Sequence, residues 1–257
     1  MALPVNLELD RLGIPFPLYK APLETMNCYV GQGICSLEGI IRPHRFELAM
    51  GGDVIVSCPK CAEEIALDAH DGRAGDCLSC GTTVPFPPVH EGEQELAVCY
   101  QCLRAGHAAF TQDTEFGMVR WEDAKRGLTH GSPGLNPDAI NSNGFDFGPP
   151  HEGNPSWRGV RVPSEMLLEL VRTPPYSAIQ GEKWMFHCGQ VMPYLGQWLP
   201  DDFERIRPHD PLSLFAEMLE PDEDAEQLWT ILDPDIAQCH VHGCQSCGKF
   251  RAFVDLE

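Results

Sequence analysis

No apolar run in this 257-residue chain approaches the roughly 18 to 20 uncharged residues that a bilayer-spanning helix needs, so no transmembrane helix is expected. Basic residues are scarce: 18 Lys and Arg stand against 38 Asp and Glu, a formal net charge of −20. Such a surface repels phosphate backbones and anionic lipid, which disfavours nucleic acid and membrane as partners and favours a basic protein. The start of the chain, Met1 to Asp10, has neither a basic opening nor an unbroken apolar stretch, so export is not expected and a cytoplasmic location is. Familiar catalytic motifs are missing as well. His90-Glu91 and His151-Glu152 begin like a zinc-protease helix, but no His follows three residues after either Glu. There is no HxE ahead of a PCxxC, no GxSxG elbow and no phosphate loop, and Gly31-Gln32-Gly33 lacks the third glycine of a dinucleotide fingerprint and reads as a turn.

What the chain does have is 24 Gly, 23 Pro and 12 Cys within a 43% hydrophobic composition. Frequent Gly and Pro predict many turns and short elements, and the length predicts one or two cores. Twelve cysteines in a reducing compartment point to metal rather than to disulfides. The expected fold is therefore α+β, with small sheets and a few helices organised around zinc knuckles and ribbons.

The strongest signal is Cys58-Pro59-Lys60-Cys61, then fifteen residues, then Cys77-Leu78-Ser79-Cys80-Gly81. Two residues between thiolates let one tight turn aim both sulfurs at one ion, and Zn²⁺ accepts four thiolates tetrahedrally. Gly81 suits the backbone behind such a turn, where φ is often positive. Val54-Ile55-Val56 and Thr82 to Phe86 read as strands on either side of the hooks. A third hook, Cys99-Tyr100-Gln101-Cys102, has no close partner hook, so Cys28 and Cys35, with Glu38 where a second sulfur would stand, are its candidate companions. An alternative joins Cys77 and Cys80 to Cys99 and Cys102. The fourth hook, Cys244-Gln245-Ser246-Cys247-Gly248, is expected to join Cys188, with Cys239, His187 or His242 as fourth ligand, tying the middle of the chain to its end. Two or three zinc ions are expected in all, held in closed four-ligand sites that stabilise rather than catalyse.

Between these hooks, Leu12 to Leu23 reads as extended chain lying against a core, and Asn136 to Pro155, dense in Asn, Gly, Pro and Asp, reads as a long loop or linker. Ser164 opens a helix through Met166, Leu167, Leu170 and Val171 that Pro174 stops. A second helical pattern covers Ser213 to Trp229 and breaks at Pro221, before the acidic run Asp222, Glu223, Asp224, Glu226. Phe250 to Asp255 alternates as a closing strand.

Arg172-Thr173-Pro174-Pro175-Tyr176, then Gln180, Glu182, Trp184, His187-Cys188 and Tyr194-Leu195-Gly196, resembles the signature region of the CbrC family of bacterial proteins, known by name for colicin tolerance. Cys99 to Gly106 is similar to that family's CPWCIADG segment, and Cys244 to Lys249 with Asp255 to its CLHCGK strand. Met192 and Glu38 depart from it, each standing where the family offers a cysteine. The resemblance implies three parts: an extended segment with the first hook over 1–50, an inserted zinc ribbon over 51–90 and a CbrC-like core over 91–257. It also implies a zinc-binding protein of toxin tolerance or immunity, and the net charge of −20 makes a basic protein such as a toxin the expected partner of its acidic surface. The alternatives are a metalloenzyme using Arg172 to His187, where Arg172, Tyr176, Gln180, Glu182 and His187 supply polar groups, and a zinc-ribbon adaptor with a local basic patch at Arg120, Lys125 and Arg126.

Overall fold

The computed structural model describes residues 17–21, 45–47, 52–68, 75–84, 97–151, 154–176 and 178–256. The elements are short, as the turn-rich composition requires. In chain order they are β1 (Arg45–Glu47), β2 (Gly52–Ser57), β3 (Glu64–Asp68), β4 (Gly75–Asp76), β5 (Thr83–Val84), β6 (Ala97–Cys99), α1 (Tyr100–Ala105), β7 (Ala108–Phe110), α2 (Trp121–Arg126), α3 (Pro137–Ser142), β8 (Asp146–His151), β9 (Asn154–Arg161) and α4 (Ser164–Val171). They continue with β10 (Phe186–His187), β11 (Gln190–Val191), β12 (Tyr194–Trp198), α5 (Pro200–Ile206), α6 (Pro211–Met218), α7 (Ala225–Ile231), β13 (Ala237–Gly243) and β14 (Phe250–Leu256). This is an α+β architecture of small antiparallel sheets and few helices.

Two three-stranded sheets carry it, in the orders β3-β2-β7 and β12-β13-β14. The first contributes Val54, Ile55, Ala108 and Phe110 to a core built around Trp121, Leu167, Leu170, Trp184 and Phe186. Helix α4 contributes because Leu167, Leu170 and Val171 recur on one face and are all fully buried. Pro163 rather than Ser164 holds its cap position, so no side chain caps it. The second sheet packs one face, with Leu195, Trp198, Cys239 and Val241, against Phe203, Leu214 and Phe215 of α5 and α6. The helical pattern over Ser213 to Trp229 divides into α6 and α7, whose starts are capped by Asp210 and Asp224. Residues 17–21 run along β12: Tyr194 N–H donates to the Leu18 carbonyl at 2.7 Å, and Lys20 N–H to the Tyr194 carbonyl at 2.8 Å.

Asn136 to Pro155 is not a linker. Asn136 accepts from Asp138 N–H and starts α3, Ile140 is fully buried, and β8 and β9 then form a hairpin. Composition misleads here because the prolines and polar residues occupy exposed positions, while three apolar anchors, Ile140, Phe145 and Phe147, are enough to bring the segment onto the core.

The other face of the second sheet holds an aromatic and histidine cluster. Tyr176 stacks on Tyr194 at 3.8 Å, and His240 and His242 lie among these rings, Trp184 and Phe253. Burial pushes the His240 ring down to about 4, which keeps it neutral. Above pH 6.5 both folded and unfolded states hold a neutral ring and the full stability is present. Below it the unfolded chain takes the proton first, so stability falls as the pH drops from 6.5 toward 4, by on the order of 3 kcal/mol. Urea unfolding at pH 7 and pH 4.5 checks this, with bound metal followed in the same samples. His240→Gln should flatten the pH slope; an unchanged slope would assign the acid sensitivity elsewhere.

Candidate metal centres

Three CxxC hooks adopt the same backbone turn. Cys58, Cys77 and Cys244 each donate their N–H to the carbonyl five residues on, those of Glu63, Thr82 and Lys249, at 2.8, 2.9 and 2.8 Å. Each accepts, on its own carbonyl, the N–H four residues on, from Ala62, Gly81 and Gly248, at 2.9, 2.7 and 2.9 Å. That fourth residue takes a left-handed φ of 60°, 66° and 75° in turn. Glycine adopts it freely, and Ala62 does so at a steric cost of roughly 1 kcal/mol.

In the ribbon, strand β2 delivers Cys58, β4 delivers Cys77, and the two turns face each other. Cys58 Sγ lies 3.7 Å from Cys80 Sγ, and Cys61 Sγ 3.5 Å from Cys77 Sγ. All four sulfurs lie within 4.8 Å of one another, unpaired as disulfides, an arrangement able to hold one metal ion. Hydrogen bonding from the Thr82 hydroxyl, then from its backbone, holds the Cys80 thiol down to about 6, so this sulfur most readily supplies a thiolate. The ribbon has little else to hold it, with Ile65, Leu67 and Val84 as its apolar core and β4 and β5 only two residues each. Lys125 fastens its rim to α2 through Glu63 at 3.3 Å and the Glu64 carbonyl at 3.1 Å.

The second cluster joins one hook to a hairpin tip. His187 pairs with Gln190, and Cys188 and Gly189 form the two-residue turn between them with φ of 53° and 70°. The turn is braced where Gly189 N–H donates to Asn143 Oδ1 at 3.1 Å, and Ser246 Oγ reaches Gln190 Oε1 at 3.2 Å. His187 Nδ1 lies 3.2 Å from Cys188 Sγ and 3.4 Å from Cys247 Sγ, and with Cys244 these ligand atoms form a second tetrad within 4.8 Å. Burial first, then the Lys249 and Arg251 charges, push the His187 pKa down, favouring the neutral imidazole a metal needs.

Cys239 does not join this cluster. Strand alternation turns it to the helical face of the second sheet, where it is fully buried and its thiol pKa is pushed up by burial. His242 faces the aromatic cluster instead, which leaves His187 as the companion of the three cysteines. Met192, where a further cysteine is expected from the resemblance, packs with Met185 and Cys244. For the third hook, Cys99 ends β6 and Cys102 lies in α1, while Cys28, Cys35 and Glu38 lie outside the described residues, as does any pairing among them. Among the described residues the two tetrads are the metal-type clusters, and no helix is long and apolar enough to cross a membrane.

The profile of a protein family matches residues 58–256. The chain belongs to the uncharacterised protein family UPF0167. Its matched interval opens at Cys58 and therefore includes both tetrads. Two relatives in it, UPF0167 protein Mb2317 of Mycobacterium bovis and UPF0167 protein MT2352 of Mycobacterium tuberculosis, are each 24% identical over 193 residues, covering 70% of this chain and 82% of their own length. No solved structure matches significantly. The comparison places the chain at the level of UPF0167 and no narrower.

Cys77→Ser should release one metal equivalent, read by elemental analysis of protein purified without added metal. Amide exchange should rise over 75–84 while β12-β13-β14 stays protected, because β2 remains held by β7. Global unfolding would show that the ribbon is no local unit.

Proposed function

We propose that this UPF0167 protein is a zinc-stabilised interaction protein of the toxin-tolerance kind, in which two structural zinc ions brace a scaffold whose acidic surface engages a basic partner. The observation that supports it is the closed character of both tetrads: four thiolates, and three thiolates with one imidazole, complete a tetrahedral zinc and leave no position for substrate. Such sulfur-rich sets select soft or borderline ions over Mg²⁺ or Ca²⁺.

The polar residues of the enzyme alternative are used separately in holding the chain. Arg172 lies over the Trp121 ring at 4.7 Å. The Tyr176 hydroxyl accepts from Lys183 N–H at 2.8 Å and donates to the Lys183 carbonyl at 2.9 Å. Gln180 binds Asp255 and the Leu256 carbonyl, while Glu182 accepts from Asp113 N–H. For the adaptor alternative, Lys125 of the basic patch is engaged by the ribbon.

Within the acidic run, Asp224 accepts from Gln227 N–H at 3.0 Å and Glu223 from Glu220 N–H at 3.0 Å, so these two shape the turn before α7. Asp222 and Glu226 are exposed, and neither has a hydrogen-bond or ion-pair partner among the described residues. The double variant Asp222→Asn/Glu226→Gln should slow association with a basic toxin domain several-fold at low salt, flatten the salt dependence and leave zinc content unchanged. Surface-binding kinetics at two salt concentrations measure this. Unaltered kinetics would assign the run to solubility and remove the proposed contact surface.

A further inference from the structure

Away from both metal centres, the C-terminal end of α2 and the β8–β9 hairpin enclose a cavity of about 240 Å³ lined by Asp123, Arg126, His130 and His151, with Leu128, Pro149 and Pro150 among its walls. The cavity is built on close backbone contact. A Cβ on Gly159 would fall 2.2 Å from the Thr129 carbonyl oxygen, and one on Gly131 only 1.9 Å from that of Arg158, so glycine alone lets residues 128–132 lie against β9. His130 is held from both sides: its N–H donates to the Met118 carbonyl at 2.6 Å, and its carbonyl lies 2.7 Å from His151 Nε2. A carbonyl can only accept, so His151 carries its proton on Nε2 and keeps Nδ1 as an acceptor. The two imidazoles meet at 4.5 Å, and Trp157, fixed by its Nε1–H to the Gly131 carbonyl at 2.9 Å, closes the cluster at 6.0 and 6.1 Å.

The side chains that reach this cavity are uncommitted. Among the described residues, neither the Asp123 carboxylate nor the Arg126 guanidinium takes part in an ion pair or hydrogen bond, though both line the same cavity one helical turn apart. The His130 ring and His151 Nδ1 likewise have no hydrogen-bond partner among the described residues. Charge is locally balanced too. Residues 120–161 carry five Lys and Arg and five Asp and Glu, in a chain whose net charge is −20, so an anion meets less repulsion here than over the molecule as a whole. A cation is the weaker choice, because these four residues form no metal-type cluster of the kind seen at the two tetrads.

We propose that this cavity binds a small hydroxylated oxyanion of metabolite size. Its phosphate or carboxylate group faces Arg126, its hydroxyls donate to Asp123 and to His151 Nδ1, and its carbon skeleton rests on Pro149 and Pro150. Guanidinium matches either oxyanion through paired N–H donors, and a carboxylate opposite it selects a ligand that also carries a donor. The site is independent of zinc.

The test uses the full chain with its metal in place, following the ring C–H signals of His130 and His151 by NMR and measuring affinity by calorimetry. Glucose 6-phosphate and gluconate serve as phosphate and carboxylate probes, glucose as the uncharged control and inorganic phosphate as the bare anion. Saturable shifts of both rings with one of the charged sugars are expected, with none for glucose. Arg126→Gln, at an exposed position, should weaken binding roughly tenfold to a hundredfold, and His151→Asn should do the same, with metal content unchanged. Absence of saturable shifts with both charged sugars, or affinity untouched by Arg126→Gln, would overturn the site. Equal affinity for inorganic phosphate and glucose 6-phosphate would overturn its assignment to an organic ligand.

Discussion

Glu115→Ala is expected to destabilise the protein by about 2 to 4 kcal/mol, because it leaves a largely buried guanidinium with only the half-exposed Glu220 as its counter-ion. Arg251 on β14 meets Glu115 through two bonds, Nη1 to Oε1 at 2.9 Å and Nη2 to Oε2 at 3.0 Å, with the two side chains 16% and 11% exposed. The same Arg251 donates to the Phe186 carbonyl at 2.8 Å and reaches Glu220, while Phe186 N–H donates to Glu115. One carboxylate therefore joins the 112–118 turn, the second sheet and the strand that presents His187. Its loss should also weaken metal binding at the second tetrad, since Phe186 precedes His187. Urea unfolding with parallel metal analysis measures both effects. Glu115→Gln keeps the acceptor for Phe186 N–H and should cost less. If Glu115→Gln kept the full stability, the charge pairing would carry no weight.

Cys244→Ser is the second large effect. Cys244 is 2% exposed and packs with Met185 and Met192, so its thiolate would ligate a metal from inside the fold. Removing it should release the metal from His187, Cys188 and Cys247 and lower stability by roughly 3 kcal/mol or more. The loss should stay local. The sequence separation of Cys188 and Cys244 suggests the closing of a long loop, but the pairing of Tyr194 with His242 already brings these segments together. Amide exchange should therefore open the hairpin at 186–191 and the hook at 244–249 while β12-β13 pairing persists. Retention of the full metal content would show that this tetrad is not a metal centre.

Much of the local structure follows from chain periodicity and turn chemistry. The α4 face through Leu167, Leu170 and Val171, the closing strand from Phe250, and the left-handed glycine behind Cys80 are properties of a few neighbouring residues, and such properties are visible without the rest of the fold. The segment 136–155 escaped this reading because its order comes from burying a few scattered anchors rather than from a repeat. The cavity at His130 and His151 was equally hidden: the two rings stand 21 positions apart in the chain, and no motif links them.

By itself, the sequence determined which cysteines come in hooks, because a CxxC turn forms within five or six residues through its own backbone hydrogen bonds. It also determined the acidic surface and the shortness of the elements, which follow from residue counts alone. Only the tertiary structure decided which side chain completes the second tetrad. Cys239, His187 and His242 all have metal-binding chemistry, and the choice fell to geometry: strand alternation turns Cys239 toward the helices and His242 toward the rings of Tyr176 and Trp184, while the β10–β11 turn aims His187 and Cys188 at the last hook. That outcome depends on the β12–β13 register, which is set by packing on both sheet faces and is written in no single stretch of the chain.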